Sequence, residues 1–173
     1  MVLLMAQPRN KAVAPRDYES GWRLLLWYLG RYNPTTHRLE QYLVRKGCVA
    51  DEARQLVDKA VGLGLLDDLR FASNLIQSQL TRYGQRRITN KLLSLGLSRE
   101  VVQVAWDGID QQLIEPQVNL QRLLERFLLR HHLTSSNRLE PKLRSKLYRQ
   151  LIQAGYGYNQ IKLLLSDDSS NQV

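Results

Sequence analysis

Few residues in this chain could do chemistry. Asp67 and Asp68 form a carboxylate pair, an arrangement that can serve acid–base work or hold a divalent cation. They stand in Leu66-Asp67-Asp68-Leu69-Arg70-Phe71, where an apolar periodic run begins. There they read better as the cap and first turn of a helix, satisfying free amides and the helix dipole. His131 and His132 are adjacent and lack the i, i+4 spacing with which two histidines on one helix face grip zinc. His37 falls in the first turn of an expected helix. Cys48 is the single cysteine, which excludes an internal disulfide and a four-cysteine zinc site. Its place just past an expected helix end reads as packing. With no glycine-rich phosphate loop and no nucleophile elbow, the pattern points to a binding protein: not an enzyme, with no cofactor and no metal.

The basic residues say more. Arg82, Arg86, Arg87 and Lys91 follow one another with no acid between them. Between residues 122 and 149, Arg122, Arg126, Arg130, Arg138, Lys142, Arg144, Lys146 and Arg149 face only Glu125 and Glu140. Tyr83 and Tyr148 lie among these charges, as they would on a nucleic-acid or protein-binding face. The whole chain carries 25 Lys and Arg against 16 Asp and Glu, a formal charge of +9 over 173 residues. That excess favours polyanions or acidic protein surfaces as partners. A run of charge also serves as an ordinary solvated face, and both readings stand for any single residue.

The elements that must position these side chains are helices. After residue 16 the prolines are Pro34, Pro116 and Pro141, each where a helix should begin or break. No segment alternates strictly between apolar and polar residues, and Asp107-Gly108, the one hairpin-like pair, follows a helical pattern. A repeat organises the text. Arg38-Leu39, Leu43 and Gly47 share a frame with Arg87-Ile88, Leu92 and Gly96, and with Lys146-Leu147, Leu151 and Gly155. Apolar residues at i and i+4 share a helix face, and the glycine ends the helix by taking the left-handed conformation cheaply. The frame continues through Ala53 and Val57, Val102 and Trp106, Ile161 and Leu165. Upstream, Trp22 and Leu26 match Phe71 and Leu75, while Leu120, Leu123, Leu124 and Phe127 are expected inward in the third unit. The same frame places Arg38, Arg87 and Lys146 at one position, just before the first inward residue of each second helix.

The expected fold is therefore all-α: three tandem three-helix, helix-turn-helix-like repeats stacked in an elongated, curved arrangement. Residues 1–16 read as a flexible basic tail, 17–65, 66–110 and 111–166 as the three repeats, and 167–173 as a polar tail. No stretch approaches the roughly 18 apolar residues a membrane span needs, so no membrane is expected and a reducing, cytoplasmic setting is the default.

Leu66-Asp67-Asp68-Leu69-Arg70-Phe71-Ala72 resembles the signature that opens the middle repeat of the RecX family. Gly84, Arg87-Ile88, Leu92 and Gly96 match the segment that follows it, and Leu39, Leu43 and Lys46-Gly47 are similar to the family's first repeat. The resemblance covers roughly residues 20–165, with Leu69 standing where the family usually has a polar residue. It implies a regulator that binds the RecA filament on single-stranded DNA and restrains strand exchange, ATP hydrolysis and co-protease stimulation; separately, the molecule is expected to be a monomer. Weak direct binding to DNA is a further expectation. The candidate partner-binding residues are Arg38, Arg82, Arg86, Arg87, Lys91, Arg144, Lys146 and Arg149. Two rival readings are a helix-turn-helix transcription regulator, which would show one such module and a dimer or ligand domain, and a small helical enzyme, which would offer a cleft with titratable groups of shifted pKa.

Overall fold

The structure is a computed structural model and describes residues 17–109, 116–134 and 139–167. The expected basic tail, residues 1–16, lies outside them. Among the described residues there are nine α-helices and no strand, so the chain is all-α as its periodicity predicts. They are α1 (Tyr18–Leu29), α2 (Thr36–Arg45), α3 (Ala50–Gly62), α4 (Asp68–Gln79), α5 (Gln85–Ser94), α6 (Arg99–Asp107), α7 (Pro116–Arg130), α8 (Pro141–Gln153) and α9 (Tyr158–Asp167). The chain divides into two compact units, Met1–Asp67 and Asp68–Val173.

In the first unit α1, α2 and α3 pack on one another around Leu25, Leu39, Leu43, Ala53, Leu56 and Ala60, all fully buried. Gly21 belongs to this contact: a Cβ there would lie 2.8 Å from Cδ1 of Leu56. Asp17 caps α1 by accepting from the Ser20 amide at 2.7 Å, and that bond holds its carboxyl below the ordinary range. The second unit holds two clusters. α4, α5 and α6 surround Ala72, Ile76, Ile88 and Leu92, and α7, α8 and α9 surround Leu120, Phe127, Leu147, Leu151 and Ile161. Ser98 caps α6, accepting from the Val101 amide at 3.2 Å, and the Trp106 indole donates to Thr89 Oγ1 at 3.0 Å across the middle cluster.

The repeated glycines do what their spacing predicts. Gly47, Gly96 and Gly155 have φ of 101°, 86° and 95°. Each closes the same two-bond motif. Gly47 and Cys48 donate to the carbonyls of Val44 and Leu43, Gly96 and Leu97 to Leu93 and Leu92, Gly155 and Tyr156 to Ile152 and Leu151. The residue after each glycine is buried against its helix, which accounts for Cys48: the thiol is pushed up by burial and then by the neighbouring Glu52. α7 ends in the same way with His132 at φ 56° in the glycine's place.

The first helices depart from the expected frame. α1 buries Gly21 and Leu25, and α4 buries Ala72 and Ile76, while Trp22, Phe71 and Leu75 are half-buried and Leu26 is exposed. The shift relating these helices is two residues longer than the one relating the second helices. The loop from Gly30 to Thr35 is one residue longer than that from Leu80 to Gly84, and the helices must rotate to keep their apolar stripes inward.

Candidate interaction surface

All eight cationic residues singled out from the sequence are exposed. Their surroundings differ. In the first unit Arg38 lies on α2 one turn before Tyr42, on the same side of the helix. Tyr42 is at the centre of a group the sequence reading did not single out. Its ring stacks on Tyr28 at 3.9 Å, and Tyr28 meets Tyr32 at 4.8 Å. Arg45 and Lys46 stand 5.8 Å and 5.7 Å from the Tyr42 ring, and Arg31 lies 5.0 Å over the half-exposed Trp27. The Tyr42 hydroxyl is pushed up by burial and by the two flanking tyrosines, against the pull of Arg45. The i, i+4 spacing of Tyr28 and Tyr32 was available in the sequence as a signal. The contribution of Tyr42, from another helix, was not.

In the second unit Arg87 is committed to structure. Its guanidinium donates to the Gln153 carbonyl at 2.9 Å and lies 4.1 Å over the Tyr83 ring. This links the start of α5 to the end of α8. The backbones meet there too: the Gly84 amide donates to the Ala154 carbonyl at 2.8 Å, and Gly84 and Gly155 touch with no room for a Cβ on either. Asn119 of α7 donates to the Leu80 carbonyl at 2.8 Å nearby. Beside the junction is a cavity of about 380 Å³, with Arg86, Thr89, Asn90, Asn119, Tyr156 and Gln160 among its lining residues. Arg82 precedes α5, and Lys91 follows one turn after Arg87.

On α8, Arg144 and Arg149 border an open groove of about 710 Å³ with Tyr148, Ile152 and Tyr158. The two tyrosine rings are 5.9 Å apart. A second shallow groove brings Arg149 together with Lys142 and Lys146. This surface combines three or more cations with exposed aromatic and aliphatic area, and it suits an acidic partner more than a reaction.

The remaining candidates for chemistry are dispersed. Asp67 precedes α4 and Asp68 opens it, as a cap and first turn would. His37 is exposed, with its Nε2 2.9 Å from Nε2 of Gln41. His131 packs 4.6 Å from the Phe127 ring. Among the described residues no group of three His, Cys, Asp or Glu could hold a metal ion. No helix among them is long and apolar enough to cross a membrane.

Three-helix clusters closed by glycine caps, with cations and tyrosines on their outer faces, define an all-helical protein. The comparisons show what the chain is similar to. No family profile matches the chain. Single relatives do: "Regulatory protein RecX" of Clostridium botulinum is 27% identical over 74% of this chain and 58% of its own length. That of Streptococcus gordonii is 25% identical over 90% of this chain and 60% of its own, and that of Vibrio vulnificus 27% over 82% and 88%. A crystal structure of RecX from Lactobacillus salivarius superposes with a TM-score of 0.73 at 18% identity, covering 88% of this chain and 97% of that one. Another, of regulatory protein RecX, gives 0.71 at 15% identity, covering 86% and 71%. The chain is similar in sequence to these regulatory proteins RecX and shares the fold of the two RecX crystal structures. It spans about 58% of the length of the Clostridium relative it matches.

Proposed function

We propose that the chain is a monomeric, non-enzymatic regulator that binds the RecA filament on single-stranded DNA and inhibits strand exchange, ATP hydrolysis and co-protease stimulation. The observation that carries this reading is the match to proteins named as regulatory, running through up to 90% of the chain. The surface supports it. A net charge of +9 suits a filament wound on phosphates, and the exposed cations of α8 flank apolar area of the kind that anchors a protein contact. Because Arg87 is tied to α8, the residues on which contact with the partner rests are Arg38, Arg82, Arg86, Lys91, Arg144, Lys146 and Arg149.

The test is the rate of ATP hydrolysis by RecA on single-stranded DNA as purified chain is added. The parent should inhibit in a dose-dependent way. A triple variant, Arg144→Glu, Lys146→Glu and Arg149→Glu, should inhibit much less, once circular dichroism shows its helices intact. A control with Arg9, Lys11 and Arg16 reversed carries the same change of net charge. If parent and control leave hydrolysis untouched, the regulator reading is wrong. If both variants inhibit like the parent, the contact lies away from α8.

A further inference from the structure

We infer that the cavity beside the α5–α8 junction is a binding site for a small phosphorylated sugar, free or as part of a mononucleotide. The inference goes beyond the regulator reading and does not rest on it, because it concerns the chain and a small molecule alone. At about 380 Å³ the cavity has the size of a small-molecule pocket, and every residue lining it belongs to the second unit. Its polar side chains are held in place before any ligand arrives. Thr89 Oγ1 accepts from the Trp106 indole at 3.0 Å, Asn119 Nδ2 donates to the Leu80 carbonyl at 2.8 Å, and Gln160 Oε1 accepts from the Gly157 amide at 2.9 Å. Each bond engages one part of its side chain. Among the described residues the Thr89 hydroxyl hydrogen, Asn119 Oδ1 and Gln160 Nε2 have no partner, nor has either amide atom of Asn90. Fixed donors and acceptors in this mixture suit a ligand with several hydroxyl groups, each of which both donates and accepts. Tyr156, a lining residue only 3% exposed, adds a hydroxyl with no partner among the described residues, and a buried polar group of that kind calls for one.

The charge of the lining sets the sign of the ligand. Among the described residues Arg86 is its one cation and no acid lines it, so a cationic ligand or a metal ion finds no counter-charge there. Two helices begin beside the cavity, α5 at Gln85 and α9 just after Gly157. Neither carries an acid in its first turn, and no side chain caps α5. The free amides and positive dipole ends of both helices therefore add to Arg86. A terminal phosphate brings three oxygens and close to two negative charges to such a set of donors, where a carboxylate brings two oxygens and one charge. A cavity of this volume encloses one sugar phosphate, not a chain continuing on both sides of a phosphodiester. A phosphorylated sugar supplies both the anion and the hydroxyl groups.

The experiment is isothermal titration calorimetry of the full-length chain with ribose 5-phosphate, adenosine 5′-monophosphate, ribose and inorganic phosphate. A phosphorylated sugar should bind saturably at one site per chain, and which of the two binds names the source. Ribose and inorganic phosphate, each lacking one half of the ligand, should bind at least about 10-fold more weakly. Arg86→Gln should weaken the phosphorylated ligand about 10- to 100-fold by removing a charge-assisted bond, and Asn90→Ala about 2- to 10-fold. Arg99→Gln, the same change of charge on the exposed start of α6, should stay within about twofold of the parent. A measurement needing no variant is nuclear magnetic resonance of the ¹⁵N-labelled chain. The ligand should shift the backbone amides of Gln85 and Arg86 and the side-chain amides of Asn90 and Gln160. Failure of both phosphorylated sugars to bind overturns the inference, as does inorganic phosphate or ribose binding as tightly as they do. Binding by Arg86→Gln equal to that of the parent or of Arg99→Gln overturns it too, and so do shifts confined to the cations of α8.

Discussion

The junction between α5 and α8 can be tested by adding single methyl groups, because three glycines separate two costs. Gly64 has φ 69° and open space around its missing Cβ. Gly64→Ala should therefore lose only the left-handed preference, about 1 kcal/mol. Gly84 is extended, with φ −74° and ψ 160°, so alanine is unstrained there. Its Cβ, however, would lie 2.5 Å from the Gly155 oxygen and 2.7 Å from the Gly155 carbon, both backbone atoms. Relieving that contact requires backbone displacement, about 1–3 kcal/mol, and stretches the bond from the Gly84 amide to Ala154, about another 1 kcal/mol. Gly155→Ala combines both costs, with φ 95° and a Cβ 2.6 Å from Cβ and N of Arg87, for about 2–4 kcal/mol. Urea denaturation followed by circular dichroism reads these differences. The order of loss should be Gly64→Ala, then Gly84→Ala and Gly155→Ala together. The double variant at 84 and 155 should lose less than the sum, since both methyls relieve themselves by parting the same two backbones. A Gly84→Ala protein as stable as the parent would refute the close approach and the argument built on it.

Three further outcomes follow from buried and capping groups. Among the described residues the buried Tyr156 hydroxyl has no hydrogen-bond partner, so Tyr156→Phe should be neutral or stabilising by about 1 kcal/mol in thermal melts at neutral pH. Burial raises the Tyr156 pKa above its ordinary value of 10.0. The protonated ring therefore contributes stability that is present below pH 10.0 and lost as pH rises toward the folded value, and the Phe variant should lack that alkaline decline. Cys48, buried and with a raised pKa, should react with a disulfide reagent far more slowly in the native protein than in denaturant; fast native labelling would contradict its packing. Ser98→Ala should cost about 1 kcal/mol by removing the α6 cap, measurable by urea denaturation.

How legible this structure was from the sequence depends on how far apart the interacting residues lie. Helix faces and caps are set by neighbours within one or two turns, so Leu39 and Leu43, Gly47, and the burial of Cys48 follow from local spacing. The first helices were misaligned because a one-residue change of loop length alters the inward face, and Leu26 matched Leu75 by type while only Leu75 is half-buried. Arg87 looked like its counterparts Arg38 and Lys146. Nothing near it in sequence announces the Gln153 carbonyl that holds it, 66 residues away. The tyrosine group was half visible for the same reason: Tyr28 and Tyr32 lie four residues apart across the end of α1, but Tyr42 joins them only through packing.

The meeting of Gly84 with Gly155 also bears on how the second unit assembles in time. Within each cluster of three helices, contacts join near neighbours along the chain, and closing such short loops is fast. The bond from Arg87 to Gln153 closes a far longer loop, and loop-closure entropy places it late on the folding path. Late contacts leave their mark on the return journey. Loosening this junction should hasten unfolding while leaving the refolding rate nearly unchanged, so the two glycines act chiefly as a brake on opening.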